Sequence, residues 1–251
     1  LSLAVLLLFG CSVKEEQKEN YSDEMKITHA VDLSKEDGAD SVERDGDQKE
    51  SPYFKHPDFY NMKSTSTLTL LPKFKTIQQT SEWSCGVDSA LMVLQYYGKL
   101  GEYNEETLAQ FRTNKLKSEA TSLKSMIQIF EGVGGFKIHS TYDYKESEYE
   151  KISLSMIQDY LKKGIPVMVA WNDWGGHWQV IIGYDTMGTE TTQDDVLIVA
   201  DSYDTTDHNQ DGYGIYPAER FYYNWTMYDF FTENYGVAER DKLFIAVEPE
   251  V

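Results

Sequence analysis

The stretch Gln78-Gln79-Thr80-Ser81-Glu82-Trp83-Ser84-Cys85-Gly86-Val87-Asp88 and the run after it constrain the chain more than any other. A cysteine stands directly at the start of a helical pattern. Ala90, Leu91, Leu94 and Tyr97 repeat with the spacing of one buried helix face. Gly98 sits where a left-handed C-cap would end that helix. Cys85 therefore falls at the N-cap or in the first turn, outside the apolar stripe. There the unpaired backbone N–H groups and the positive end of the helix dipole stabilise a thiolate. A cysteine used only for packing belongs in the stripe, so this placement predicts a nucleophile. Asp88 suits the dipole as a helix-start acid pointing away from the sulfur. Pointing inward, it would oppose a thiolate and weaken activity.

The 251 residues, 41% hydrophobic and 14% aromatic, allow one sizeable core. A net charge of −19 without a basic cluster argues against nucleic acid and against electrostatic attraction to anionic lipid. Leu1–Gly10 is an apolar run too short to span a bilayer but suited to the h-region of a signal peptide. It closes on Leu8-Phe9-Gly10-Cys11, which resembles a bacterial lipobox, so Cys11 is the expected site of lipid attachment. A basic n-region is expected upstream of Leu1, and an ordinary secretory signal cut elsewhere is the alternative. Between residues 11 and 52 acids outnumber bases about two to one with few aromatics, the composition of a disordered tether. A tether of roughly 40 residues has an end-to-end distance of about 35 Å. The reading is an exported protein, lipid-anchored to the outer face of a bacterial membrane, with one globular domain over residues 53–251. Lipidation of Cys11 leaves Cys85 as the sole thiol, with no partner for an intrachain disulfide.

The first half of the domain reads helical. Beyond the Cys85 helix, Asn104 caps a segment with first-turn acids running to Phe111, Thr121–Gly132 carries a helical apolar stripe, and a further helix spans about Ser153–Lys163. Phe136–Ser140 reads as a short strand between the last two. The second half reads as a sheet: Pro166–Trp171, His177–Tyr184, Asp195–Asp201 and Leu243–Val247, with a last helix expected over Ala218–Tyr235. Helices followed by antiparallel strands make an α+β fold.

A thiol nucleophile needs a base and a group that orients the base. His29 lies in the tether, His56 in the lead-in, and His208 in a loop rich in Asp and Asn. His139 sits in a short strand with no obvious orienting carboxylate nearby in sequence. His177 opens a buried strand after Gly175-Gly176, flanked by Trp174 and Trp178. A hairpin turning near Gly188-Thr189 puts His177 opposite Asp201, close enough for the acid to hold one ring nitrogen. A slip of one residue would send Asp201 to the other face. Trp83, Trp174 and Trp178 are candidate walls of a cleft, with core packing as the competing reading.

Gln79 followed six residues later by Cys85-Gly86, the run Leu91–Gly98, the strand Gly176–Tyr184 and Val199-Ala200-Asp201-Ser202 together resemble cysteine peptidase family 39. That papain-like group includes the double-glycine leader peptidases of bacteriocin exporters. The resemblance covers about Thr76 to Trp225. It implies a papain-like fold and a cysteine peptidase with Cys85 as nucleophile, His177 as base, Asp201 as orienter and Gln79 as oxyanion donor. Gln78 competes for the last role, and only the six-residue offset favours Gln79. Val87 stands where the family commonly has Pro. The exporter's transporter domains are absent from this sequence, so the exporter's substrate does not carry over.

The reaction so implied needs no cofactor and takes a peptide or protein substrate. The alternatives are an inactive peptide-binding lipoprotein of the same fold and an amidase or transferase acting on cell-wall or isopeptide bonds. Separately, Asp207, Asn209 and Asp211 with Gly212 match the first half of an EF-hand loop, a candidate structural calcium site. The twelfth position is Ala218, where such loops carry Glu, and Asp, Asn and Gly are also ordinary turn formers. Substrate preference, activation and oligomeric state are not encoded in any of these motifs.

Overall fold

Seven antiparallel strands form one sheet, and a computed structural model describes it within residues 23–31, 33, 38–39, 57–113, 120–205 and 210–250. The elements run β1 (Leu68–Leu70), α1 (Cys85–Tyr96), α2 (Glu105–Ala109), α3 (Leu123–Val133), β2 (Phe136–Ser140), α4 (Leu154–Lys162), β3 (Val167–Trp171), β4 (His177–Asp185), β5 (Val196–Ala200), β6 (Tyr213–Pro217), α5 (Ala218–Tyr223) and β7 (Leu243–Pro249). The strand order is β2-β7-β3-β4-β5-β6, with β1 paired to β4 beside this path. Four of the five helices precede β3, and the antiparallel sheet makes this the α+β arrangement expected.

Local chemistry sets most of the boundaries. The side chains of Asn104, Ser122 and Ser153 each accept a backbone N–H of the helix they begin, satisfying one orphan donor apiece. β3 is buried at every residue and β4 at all but its last, which is why both read as continuous apolar runs without alternation. α1 lies against β4, so the helix carrying Cys85 and the strand opening with His177 are packed directly together.

Three expectations change. The helix expected over Ala218–Tyr235 stops at Tyr223: the Asn224 side chain donates to the Arg220 carbonyl at 2.7 Å and closes the last turn. Trp225 then turns into the core, with its indole N–H on the Leu243 carbonyl at 3.0 Å. Second, β1 and β6 are strands that periodicity did not mark, being short and only partly alternating.

Third, the described part of the expected tether is seated on the domain. Met25 is buried, and Lys26 makes a parallel bridge with Thr76, where the Ile27 N–H donates to the Thr76 carbonyl at 2.8 Å. His29 Nε2 lies 2.6 Å from the Gln78 carbonyl oxygen. Gly38 packs so tightly on the Gln79–Ser81 backbone that a Cβ there would lie 2.3 Å from the Ser81 nitrogen. Cys11 and the apolar run before it lie outside the described residues. Among the described residues no helix is long and apolar enough to cross a membrane.

Candidate active site

Cys85 is the first residue of α1, a free cysteine only 7% exposed. His177 opens β4 and Asp201 directly follows β5, both buried. His177 Nε2 lies 2.6 Å from Asp201 Oδ1. With Nε2 so engaged, Nδ1 is the ring nitrogen left for another partner. The Cys85 thiol is within hydrogen-bonding reach of the same imidazole. Sulfur, imidazole and carboxylate, far apart in sequence, are thus brought together.

The contact is diagonal. The β4–β5 ladder pairs Val180 with Ala200 and Ile181 with Val199, then shifts at a bulge before Gly183 pairs with Ile198. One more step along the ladder places Gln179 opposite Asp201, two residues from His177. A displacement of two residues keeps the same face, so Asp201 still reaches the imidazole.

The acid is held from several sides. Tyr203 N–H donates to Asp201 Oδ1 at 2.7 Å and Gln179 Nε2 to Oδ2 at 2.7 Å. Trp171 Nε1 donates to Gln179 Oε1 at 2.7 Å, which fixes the orientation of that amide. Gln179 Nε2 also reaches Asp173 Oδ2 at 3.1 Å, and Tyr216 donates to the same oxygen at 3.1 Å. Burial opposes charge on both members of the His177–Asp201 pair. For His177, the Asp201 carboxylate and Cys85 override burial and raise its pKa well above the ordinary value. For Asp201, the imidazole, the Tyr203 N–H and Gln179 outweigh burial and hold its carboxyl below the usual range. Both directions describe an imidazolium beside a carboxylate.

Gln79 is buried and stitched to the acid's neighbour. Its backbone N–H donates to the Ser202 carbonyl at 2.9 Å, and the Ser202 hydroxyl donates to its Oε1 at 2.8 Å. Its Nε2 donates to the Ser81 carbonyl at 2.7 Å, which occupies one of two amide protons. The buried Gln78 amide finds no side-chain partner among the described residues.

The tryptophans separate. Trp178 is 1% exposed with its N–H on the Thr121 carbonyl at 2.7 Å, and Trp83 is buried under the Arg112 guanidinium, 5.0 Å from the ring centroid. Neither fits a cleft wall, and packing is the better description of both. Trp174 alone is open to solvent, at 59%, on a residue with φ of 51° and against Tyr203 at 5.5 Å. Tyr203, which sequence reasoning missed, also donates from its hydroxyl to Glu82 at 2.8 Å. Gln179 was missed too, because a polar residue inside an apolar strand has no motif to announce it.

His139 does gain a carboxylate, Glu248 on the neighbouring strand at 3.1 Å, but the thiol contacts His177. His56, Asp207, His208 and Asn209 lie outside the described residues. Asp211 is buried, its Oδ1 accepting the Tyr213 N–H at 2.9 Å. Among the described residues no group of three His, Cys, Asp or Glu side chains is arranged to hold a metal ion.

The model of the peptidase C39-like family matches residues 72–232, which hold Cys85, His177 and Asp201. The chain belongs to the peptidase C39-like family. This C39-like domain therefore has a papain-like fold, the helical part carrying the cysteine packed on the sheet carrying histidine and acid. No curated protein matches the chain.

Proposed function

We propose that this C39-like protein is a cysteine peptidase that cleaves peptide bonds by acyl transfer through Cys85. The observation that carries the reading is the buried His177, 2.6 Å from Asp201 and in hydrogen-bonding reach of the only cysteine among the described residues. With the thiol proton resting on the His177 imidazole, Cys85 stands as a thiolate and attacks the scissile carbonyl carbon. The tetrahedral oxyanion is met by the free N–H of Gln79 and by the Cys85 backbone N–H at the start of α1. His177 returns the proton to the departing amine, leaving a thioester on Cys85. Water, deprotonated by His177, then releases the acid. Asp201 keeps the imidazole oriented and balances its charge throughout. No cofactor enters these steps. Trp174 and Tyr203 form an aromatic rim against which substrate would lie.

The apolar run ending at Cys11 supports export and lipid anchoring on the outer face of the membrane, with the domain held by the acidic segment between. Metabolic labelling with palmitate, lost in Cys11→Ala, tests the anchor. For the chemistry, iodoacetamide should alkylate Cys85 in wild type at neutral pH and do so far more slowly in His177→Ala. A peptide library should be cleaved by wild type and left intact by Cys85→Ala. Equal alkylation of wild type and His177→Ala would remove the basis of the proposal. Cleavage of muropeptides in place of peptides would redirect it to an amidase.

A further inference from the structure

Asp88 takes no part in the steps above, yet it lies on α1 one turn from Cys85 and is wholly buried. Neither carboxylate oxygen meets a donor among the described residues. The groups within hydrogen-bonding reach are the Glu105 carboxyl and the Ser84 hydroxyl, and that hydroxyl donates to the Ser81 carbonyl at 3.2 Å. Glu105, the first residue of α2, is itself 2% exposed. It accepts twice from Thr80, from the backbone N–H at 2.9 Å and from the hydroxyl at 2.5 Å. Two carboxyl groups facing one another away from water cannot both be ionised. One keeps a proton and donates it to the other.

We infer that Asp88 holds this proton and is a positioning residue, its carboxylic acid donating to Glu105 so that the Asp88–Glu105–Thr80 chain braces the nucleophile's helix against the loop bearing Gln79. The inference rests on the peptidase reading of Cys85 and Gln79. It also accounts for an acid beside a thiol: neutral, Asp88 does not oppose the thiolate, and ionised it would. Burial, then the Glu105 charge, push the Asp88 carboxyl well above the usual carboxylate range. The titratable groups facing Asp88 are Glu105 on α2 and Cys85 on its own helix, and His177 on β4 meets Cys85. Arg112, the buried cation following α2, donates to the Ala109 carbonyl and the Thr121 hydroxyl. Because Asp88 gains proton affinity on folding, the folded chain holds more protons than the unfolded one. Stability therefore falls as pH rises from about 4 through the raised value.

The test compares melting temperatures of wild type and Asp88→Asn from about pH 5 to 9, with iodoacetamide alkylation of Cys85 alongside. The amide donates to Glu105 without titrating. The gap should thus widen in favour of Asn by about 2–4 °C per pH unit inside the window. Asp88→Ala should slow alkylation about tenfold, and Asn should restore it. A gap that does not change with pH, or an Asn variant as slow as Ala, overturns the inference. Should Asn fail to fold, wild type must show the infrared stretch of a protonated carboxyl at neutral pH that Asp88→Ala removes and Glu105→Gln shifts. A missing or unaffected band overturns it as well. An unreactive Cys85 in wild type would overturn the peptidase reading and the positioning role with it, whereas a constant gap with a reactive Cys85 overturns the proton-sharing pair alone.

Discussion

Gln179 Nε2 lies 2.7 Å from Asp201 Oδ2 while His177 Nε2 lies 2.6 Å from Asp201 Oδ1, so one buried acid is shared by two residues of the same strand face. The amide also separates Asp201 from Asp173, a second carboxyl that burial and the Asp201 charge raise above its ordinary range. Gln179→Ala removes the donor common to both acids and leaves Asp201 Oδ2 and the Trp171 indole N–H unpaired. The expected cost is about 1–3 kcal/mol of stability, read by urea unfolding. Alkylation of Cys85 should slow about tenfold as Asp201 loses its hold. An Ala variant equal to wild type in both respects would show that Tyr203 and Tyr216 suffice to hold the two acids.

The His177–Asp201 pair has its own pH signature. His177 is raised on folding, so its contribution is complete below about pH 6.5 and is lost as pH climbs through the raised value. Asp201 is lowered on folding, so its contribution is present above about pH 4 and is lost as pH falls through the depressed value. The melting temperature of wild type minus that of Asp201→Asn should therefore be greatest in the weakly acid interval and shrink in alkali. A gap that grows toward alkaline pH would contradict the ion pair.

The legible parts of the sequence were those where a local rule and the tertiary structure agree. Cys85 could be placed at the head of α1 because the apolar stripe begins after it, and Asn104 marked a helix start through its own side chain. The His177–Asp201 contact was also foreseen, but for a register two residues away from the real one. It survived because a two-residue displacement preserves the face of the sheet. The bulge near Gly183, which helps set that register, leaves no mark in composition. Asn224 ended the last helix early where the surrounding aromatics looked like a continuing stripe. The docked segment around Met25 was hidden for the opposite reason, since a few apolar residues among many acids average to a disordered signal.

Gly86 follows the nucleophile for a steric reason. A Cβ at this position would stand 2.7 Å from Thr121 Cβ, on the segment leading into α3. Thr121 is fully buried and its carbonyl holds the Trp178 indole, so it cannot easily retreat. Gly86→Ala should cost about 1–3 kcal/mol by overpacking. Relief by moving the start of α1 would also carry Cys85 away from His177, and alkylation would fall. A normal melting temperature with normal alkylation would mean that Thr121 yields more readily than its packing indicates.

Gly38 makes the second close approach, on the loop that leads into α1. Its ideal Cβ would lie 2.3 Å from both the Ser81 nitrogen and the Thr80 carbonyl carbon, and 2.5 Å from the Gln79 oxygen. These are backbone atoms of the loop that Glu105 and Ser202 hold in place, so they have little room to give. Gly38→Ala should therefore lift the N-terminal segment off the domain. The bonds that report this are Ile27 N–H to the Thr76 carbonyl at 2.8 Å and Thr76 N–H to the Met25 carbonyl at 3.0 Å. Faster hydrogen exchange at both amides, with trypsin cutting sooner after Lys26, is the expected result. Unchanged exchange at Ile27 and Thr76 would show that the segment is held by its Met25 end and owes nothing to Gly38.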